Sequence, residues 1–144
     1  MEIALAEAKK AGQIGEVPVG AVLVSENGQI LSAAHNLTIK RVDPTAHAEI
    51  LALRKAALEM NNYRLLNTTL YVTVEPCIMC MGAIVHARIS RVVFGTTDLK
   101  WGGAGSLYNV AEDDRLNHHV EIVAGARAED CRRLMQDFFR AKRG

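Results

Sequence analysis

Aromatic side chains are scarce in this sequence, at 5% of residues with a single tryptophan, and proline occurs only three times. So little proline beside 11 glycines excludes a collagen-like repeat, and 49% hydrophobic residues with 23% charged is too apolar for intrinsic disorder. No apolar run approaches the roughly 18 residues that cross a bilayer. Glu2, Glu7, Lys9 and Lys10 interrupt the segment that would be the apolar part of a signal peptide, so secretion is not expected. Three cysteines without an export signal argue against a disulfide framework and for thiols kept reduced in a cytoplasm. A net charge of +1 neither demands nor excludes a nucleic-acid partner. With 144 residues and no repeat, linker or low-complexity run, residues 1–144 are expected to form a single domain.

What is present alternates between helical and extended patterns. Ile3, Leu5, Ala6, Ala8 and Ala11 predict an amphipathic helix ending near Gly12 to Gly15. Val19–Val24 and Gln29–Ala34 predict two strands joined at the turn signal Glu26-Asn27-Gly28. A helix over Ala46–Met60 follows Asp43-Pro44-Thr45, and Thr69–Val74 reads as a buried strand. Cys77–Ala87 is expected to be a helix started by Pro76, whose missing N–H would have no partner there anyway. Ile89–Gly95 and His118–Ala124 are further strands, and Ala128–Lys142 is an amphipathic closing helix. Of the adjacent Phe138 and Phe139, which point about 100° apart, one is expected in the core. Strands separated by helices predict an α/β fold with helices on both faces of the sheet. The 22 residues between Gly95 and His118, with a possible short helix at Leu107–Asp113, exceed a hairpin and suit a crossover, so the last two strands are expected to be parallel.

The chemistry concentrates in His47, Glu49, Cys77 and Cys80. A Cys-x-x-Cys pair opening a helix aims both sulfurs at one point, where the helix dipole favours thiolates. Two thiolates and an imidazole suit zinc, and three protein ligands leave a fourth position for water, the pattern of a catalytic site. Glu49, two residues after His47, is placed to carry protons between that water, a ring nitrogen and a leaving amine. Taken singly, Cys-x-x-Cys also fits a redox pair or half of a structural zinc site, and Glu49 a solvated helix carboxylate. Their conjunction is much more specific. His35, His86, His118, His119 and Cys131 show no partners that would make them ligands.

The segments Thr45-Ala46-His47-Ala48-Glu49 and Glu75-Pro76-Cys77-Ile78-Met79-Cys80 resemble the zinc-dependent cytidine/deoxycytidylate deaminase superfamily, a signature known for enzymes acting on nucleosides and nucleic acids. Glu16–Val22, Asp43–Glu49, Leu70–Cys77, Arg91–Gly95, Gly105-Ser106-Leu107, Asn117-His118 and Asp137–Arg140 narrow the resemblance to the bacterial tRNA-specific adenosine deaminases. That resemblance implies a three-layer α/β/α cytidine-deaminase-like fold with a five-stranded mixed sheet, one Zn2+ per chain, and a homodimer. It implies hydrolytic conversion of adenosine to inosine at the wobble position of a tRNA anticodon, hydroxide attacking C6 while Glu49 shuttles protons. Asn36 would then hydrogen-bond the flipped base, with Pro18 and Val19 lining the pocket wall. Asp98 and Lys100 would meet the anticodon backbone, and Phe139, Arg140, Lys142 and Arg143 would grip flanking nucleotides of the anticodon stem-loop.

Two departures accompany the resemblance. The chain starts inside what should be the first helix, so either the true start lies upstream or that helix is short and frayed. Trp101 stands in the substrate-side loop at a position not fixed in the family, free to stack on a base or to pack on a partner subunit. The same zinc and glutamate would also serve a deaminase of a free base or nucleoside such as guanine or cytosine, which would not need the basic patches at Lys9-Lys10, Lys40-Arg41 and Arg140–Arg143. A non-catalytic zinc-stabilised binding module would complete a four-ligand site and leave Glu49 without a task.

Overall fold

A computed structural model describes residues 1–144. The elements, in order, are α1 (Glu2–Gln13), β1 (Gly20–Ser25), β2 (Ile30–His35), α2 (Ala48–Met60), β3 (Thr68–Val74), α3 (Ile78–His86), β4 (Arg91–Thr96), β5 (Glu121–Ala124) and α4 (Ala128–Arg143). They form one five-stranded sheet in the order β2-β1-β3-β4-β5, layered between helices. β1 runs antiparallel to both β2 and β3, whereas β3, β4 and β5 are mutually parallel. The parallel return expected from the spacing is therefore present.

Side-chain alternation divides the sheet into two unequal faces. Ala21, Leu23, Leu70, Val72, Val92 and Phe94 join α2 residues such as Leu51 and Ala52, and α3 residues Met81 and Ile84, in the main core. The opposite face is thinner. There a Cβ on Gly20 would lie 2.0 Å from the Ala4 carbonyl oxygen, so α1 rests directly on β1. A Cβ on Gly95 would meet the Cys131 sulfur at 2.3 Å, which seats α4 on β4 in the same way. Cys131 is thus a buried packing residue, free of any disulfide.

Three expectations need correction. Leu107–Asp113 is not helical, because its N–H groups are spent in turns: Leu107 and Tyr108 donate to the Gly102 carbonyl and Val110 to that of Gly103. Asn109 and Asp113, which favour such local bonding, suit turns better than a helix interior. The last strand begins at Glu121, not His118, since His118 Nε2 bonds the Ile89 carbonyl at 2.7 Å. Neither phenylalanine of α4 is in the core: Phe138 is half-buried, Phe139 is 40% exposed, and they meet edge to face 5.3 Å apart. Cys131 is the buried residue of this helix.

The carboxyl ends of β2, β3 and β4 and the amino end of β1 lie at one edge of the sheet. Crevices outside strand carboxyl ends are the usual binding positions of such sheets.

Candidate metal centre and active site

The local structure of the site is set by two helix starts. Asp43 Oδ1 accepts the Thr45 N–H at 2.8 Å and its hydroxyl at 2.7 Å, folding a turn that buries Ala46 and leaves His47 as the N-cap of α2. The helix thus begins at Ala48, two residues later than expected. Its first N–H is capped from a distance: Asn36 Oδ1 accepts the Ala48 N–H at 2.8 Å. Cys77 is likewise the N-cap of α3, with Cys80 in the first turn and Pro76 ahead of the cap instead of inside the helix. Two helix N-termini therefore converge on one point, and their dipoles favour negative charge there.

At that point His47 Nδ1 lies 3.7 Å from Cys77 Sγ and 3.5 Å from Cys80 Sγ. Tetrahedral zinc with Zn–S near 2.3 Å and Zn–N near 2.0–2.1 Å separates sulfur from nitrogen by about 3.6 Å. Both sulfur–nitrogen separations already match that spacing. Cys80 and His47 hold Cys77 far down, to about 4, while Cys77 and burial drive Cys80 upward; bonding to Cys77 raises His47. This thiolate–imidazole cluster shares protons that a divalent cation would displace. No fourth His, Cys or carboxylate joins it, so the site is open in the manner of a catalytic zinc.

Glu49 sits in the first turn of α2, 3% exposed, and its Oε1 has no hydrogen-bond partner. Burial pushes its carboxyl up to about 7. A buried orphan acceptor beside an open metal site is what a group that exchanges protons with a bound molecule requires.

These groups open into a cavity of about 450 Å³. Val17, Val19 and Val74 give it apolar walls, and Asn36, Glu49, His47 and Cys77 place polar atoms on it. The Asn36 N–H donates to the Val19 carbonyl, extending the β1–β2 ladder and setting those two side chains next to each other. Pro18 does not line the cavity; between Val17 and Val19 it faces the other way, buried against Gly12. Asp98 borders the cavity, whereas Lys100, Phe139 and Arg140 do not. Met135 does, and Phe139 lies four residues further along the same helical face. Arg140 is paired on the surface with Asp137 at 3.5 Å.

Sequence reasoning missed two carboxylates that shape the site. Glu75, 3% exposed, accepts the N–H groups of Asp98, Ala104 and Ser106 at 3.0–3.1 Å and also the Ser106 hydroxyl. Glu16, 1% exposed, accepts from the Ile39 and Lys40 N–H groups and from Thr38. Burial alone would raise both, yet these donated bonds hold both below the usual carboxylate range. Each thus fixes a loop at the cavity mouth. An acidic residue just before a strand or a Pro-Cys segment, with no nearby cation in sequence, was the available signal.

Comparison with known proteins gives a consistent result. Residues 1–96 match the cytidine and deoxycytidylate deaminase zinc-binding region. The tRNA-specific adenosine deaminase of Haemophilus influenzae is 51% identical over 143 residues, 99% of this chain and 83% of that protein. A solved structure from work on A-to-I editing by tRNA:A34 deaminases at the wobble position superimposes with a TM-score of 0.90, at 39% identity over 93% of this chain and 96% of that one. The guanine deaminase of Nitrosomonas europaea shares the fold, with a TM-score of 0.82 over 95% of this chain and 81% of that one, at 19% identity.

Proposed function

Because this chain belongs to the zinc-binding cytidine and deoxycytidylate deaminase family, on the branch of the tRNA-specific adenosine deaminases, we propose that it hydrolyses adenosine to inosine at the wobble position of a tRNA anticodon. The observation that carries this reading is the buried Glu49 carboxylate, its Oε1 without a partner, beside an open His-Cys-Cys cluster, in a cavity large enough for one base.

His47, Cys77 and Cys80 would hold the zinc ion, which when bound supplies the Lewis acidity that makes water nucleophilic near neutral pH. Glu49 does the proton work. Its Oε1 takes a proton from the attacking water, delivers it to ring N1, and carries the second to the 6-amino group, which leaves as ammonia. The valine walls exclude bulk water from the bound base. Because Asn36 Oδ1 is spent on the Ala48 N–H, the side chain offers only its amide N–H groups to the cavity, and so reads an acceptor atom of the base. Asn36→Asp keeps the helix cap but removes that donor. A loss of about 10-fold or more in kcat/KM for RNA is expected, with zinc content unchanged. Unaltered kcat/KM would remove Asn36 from base recognition.

Asp98 at the cavity edge and Lys100 on the exposed turn beside it suit contacts to the anticodon backbone. Phe139, with Arg140, Lys142 and Arg143 beyond it on α4, suits flanking nucleotides, since single-stranded RNA needs stacking faces and positive charge. Such a substrate implies a cytoplasmic enzyme; no helix is long and apolar enough to cross a membrane. The reading is tested by mapping the product: inosine forms at a wobble adenosine in an anticodon stem-loop and not at adenosines elsewhere in the same loop. Inosine spread over the loop would contradict wobble specificity.

The chain is also proposed to act as a homodimer. Ile50, Leu53, Ala57 and Ala83 line an apolar groove between α2 and α3, flanked by Tyr63, which is 71% exposed. Light scattering at micromolar concentration is expected to give twice 15.7 kDa, and a monomer mass would refute the dimer.

A further inference from the structure

Trp101 is the only tryptophan of the chain, it borders the cavity that holds Glu49, and it is 67% exposed. Tryptophan is enriched at interfaces, where its ring supplies apolar contact area and its N–H a polar handle. Its backbone is nevertheless firmly held. Asp98 Oδ1 accepts the N–H groups of Lys100 and Trp101 at 3.1 and 3.2 Å, and the Gly102 N–H donates to the Asp98 carbonyl at 2.8 Å. The turn is in turn clamped by Glu75, which takes the Asp98 N–H on one side and those of Ala104 and Ser106 on the other.

The same turn is stitched to the metal-binding segment. Gly103 donates to the Pro76 carbonyl at 2.7 Å, and Cys77 pairs with Gly102 in an isolated antiparallel bridge. A Cβ on Gly102 would fall 2.4 Å from the Glu75 carboxylate, and one on Gly103 would fall 2.9 Å from the Ile78 nitrogen. Two consecutive glycines are what let the turn lie this close. The indole is therefore carried on a rigid support referenced to Cys77, so contact with it costs little ordering of the chain.

We infer that Trp101 is a stacking platform for a nucleotide next to the one that enters the cavity, and so a residue that selects RNA over a free base. This inference rests on the reading of the substrate as RNA. A base pulled from a loop leaves its neighbours unstacked at the cavity mouth, and an aromatic face restores that stacking without regard to sequence. Lys100, immediately before Trp101, adds a cation where the connecting phosphates would run. A second copy of the chain is the competing occupant. The apolar groove suited to it lies toward the far end of α3, beside Ala83, His86 and Ala87, whereas Ile78 and Met79 at the near end border the cavity.

A lone tryptophan makes the test direct, because all indole emission comes from this position. A stem-loop with a wobble adenosine is titrated into the zinc-loaded protein while anisotropy of labelled RNA reports binding separately. Saturable quenching that follows the anisotropy curve is expected, with free adenosine leaving emission unchanged. Trp101→Ala is expected to raise KM for the stem-loop about tenfold at unchanged kcat and zinc content, and Trp101→Phe to restore most of the loss. RNA that binds without altering emission, or emission that instead follows protein concentration, would overturn the stacking role alone. Absence of any stem-loop binding would overturn the RNA reading together with it.

Discussion

Replacing Glu49 by glutamine is expected to lower kcat by about 10²- to 10⁴-fold, the usual contribution of a general acid–base group, while zinc remains bound. Glutamine keeps the size of the side chain, so a 3% exposed position stays filled and the valine-walled cavity keeps its shape. The substitution removes only the capacity to accept and return protons. It also removes a buried carboxyl that lacks a partner at Oε1, so thermal stability is expected to hold or rise. Metal analysis, a melting curve and single-turnover kinetics on one preparation separate these effects. If kcat survived, the proton-transfer assignment would be wrong.

Cys80→Ser is expected to reduce zinc from one per chain to a small fraction and to lower the melting temperature. Cys80 is fully buried in the first turn of α3, and its sulfur stands 3.5 Å from His47 Nδ1 at the start of α2. A metal bound at a thousand times its Kd contributes about 4 kcal/mol to folding, so most of that stabilisation is lost with the ligand. Chelation of the unmodified protein should reproduce the same shift, and zinc should reverse it. Cys131→Ser serves as the control: it changes a buried thiol seated against Gly95, outside the cluster, and is expected to leave zinc stoichiometry intact. Full zinc in Cys80→Ser would remove Cys80 from the ligand set.

The metal cluster was legible in the sequence because its information is local. Cys77 and Cys80, three residues apart at a helix start, aim at one point by spacing alone, and His47 and Glu49 sit together at the start of another helix. The parallel β4–β5 pair was legible for a similar reason, since a connection longer than a hairpin constrains direction. Loop geometry was not. Glu16 and Glu75 act on N–H groups 23 to 31 positions away, and nothing in their neighbourhoods marks them as buried acceptors. Pro18 fell on the wrong side because the extended run from Val17 to Val19 alternates, and only the packing of α1 decides which side is inward. Phe138 and Phe139 stayed out of the core because the inward-reaching side chains of α4 come from its first half, Cys131 against Gly95 and Met135 against the core.

The shared zinc-and-glutamate machinery is proposed to act here on RNA. This is tested most directly by offering the zinc-loaded protein an anticodon stem-loop with a wobble adenosine and, separately, free adenosine, cytidine and guanine. Inosine in the stem-loop and no turnover of the three small molecules are expected. Turnover of a free base with an untouched stem-loop would contradict it, and would assign the cavity to small-molecule salvage.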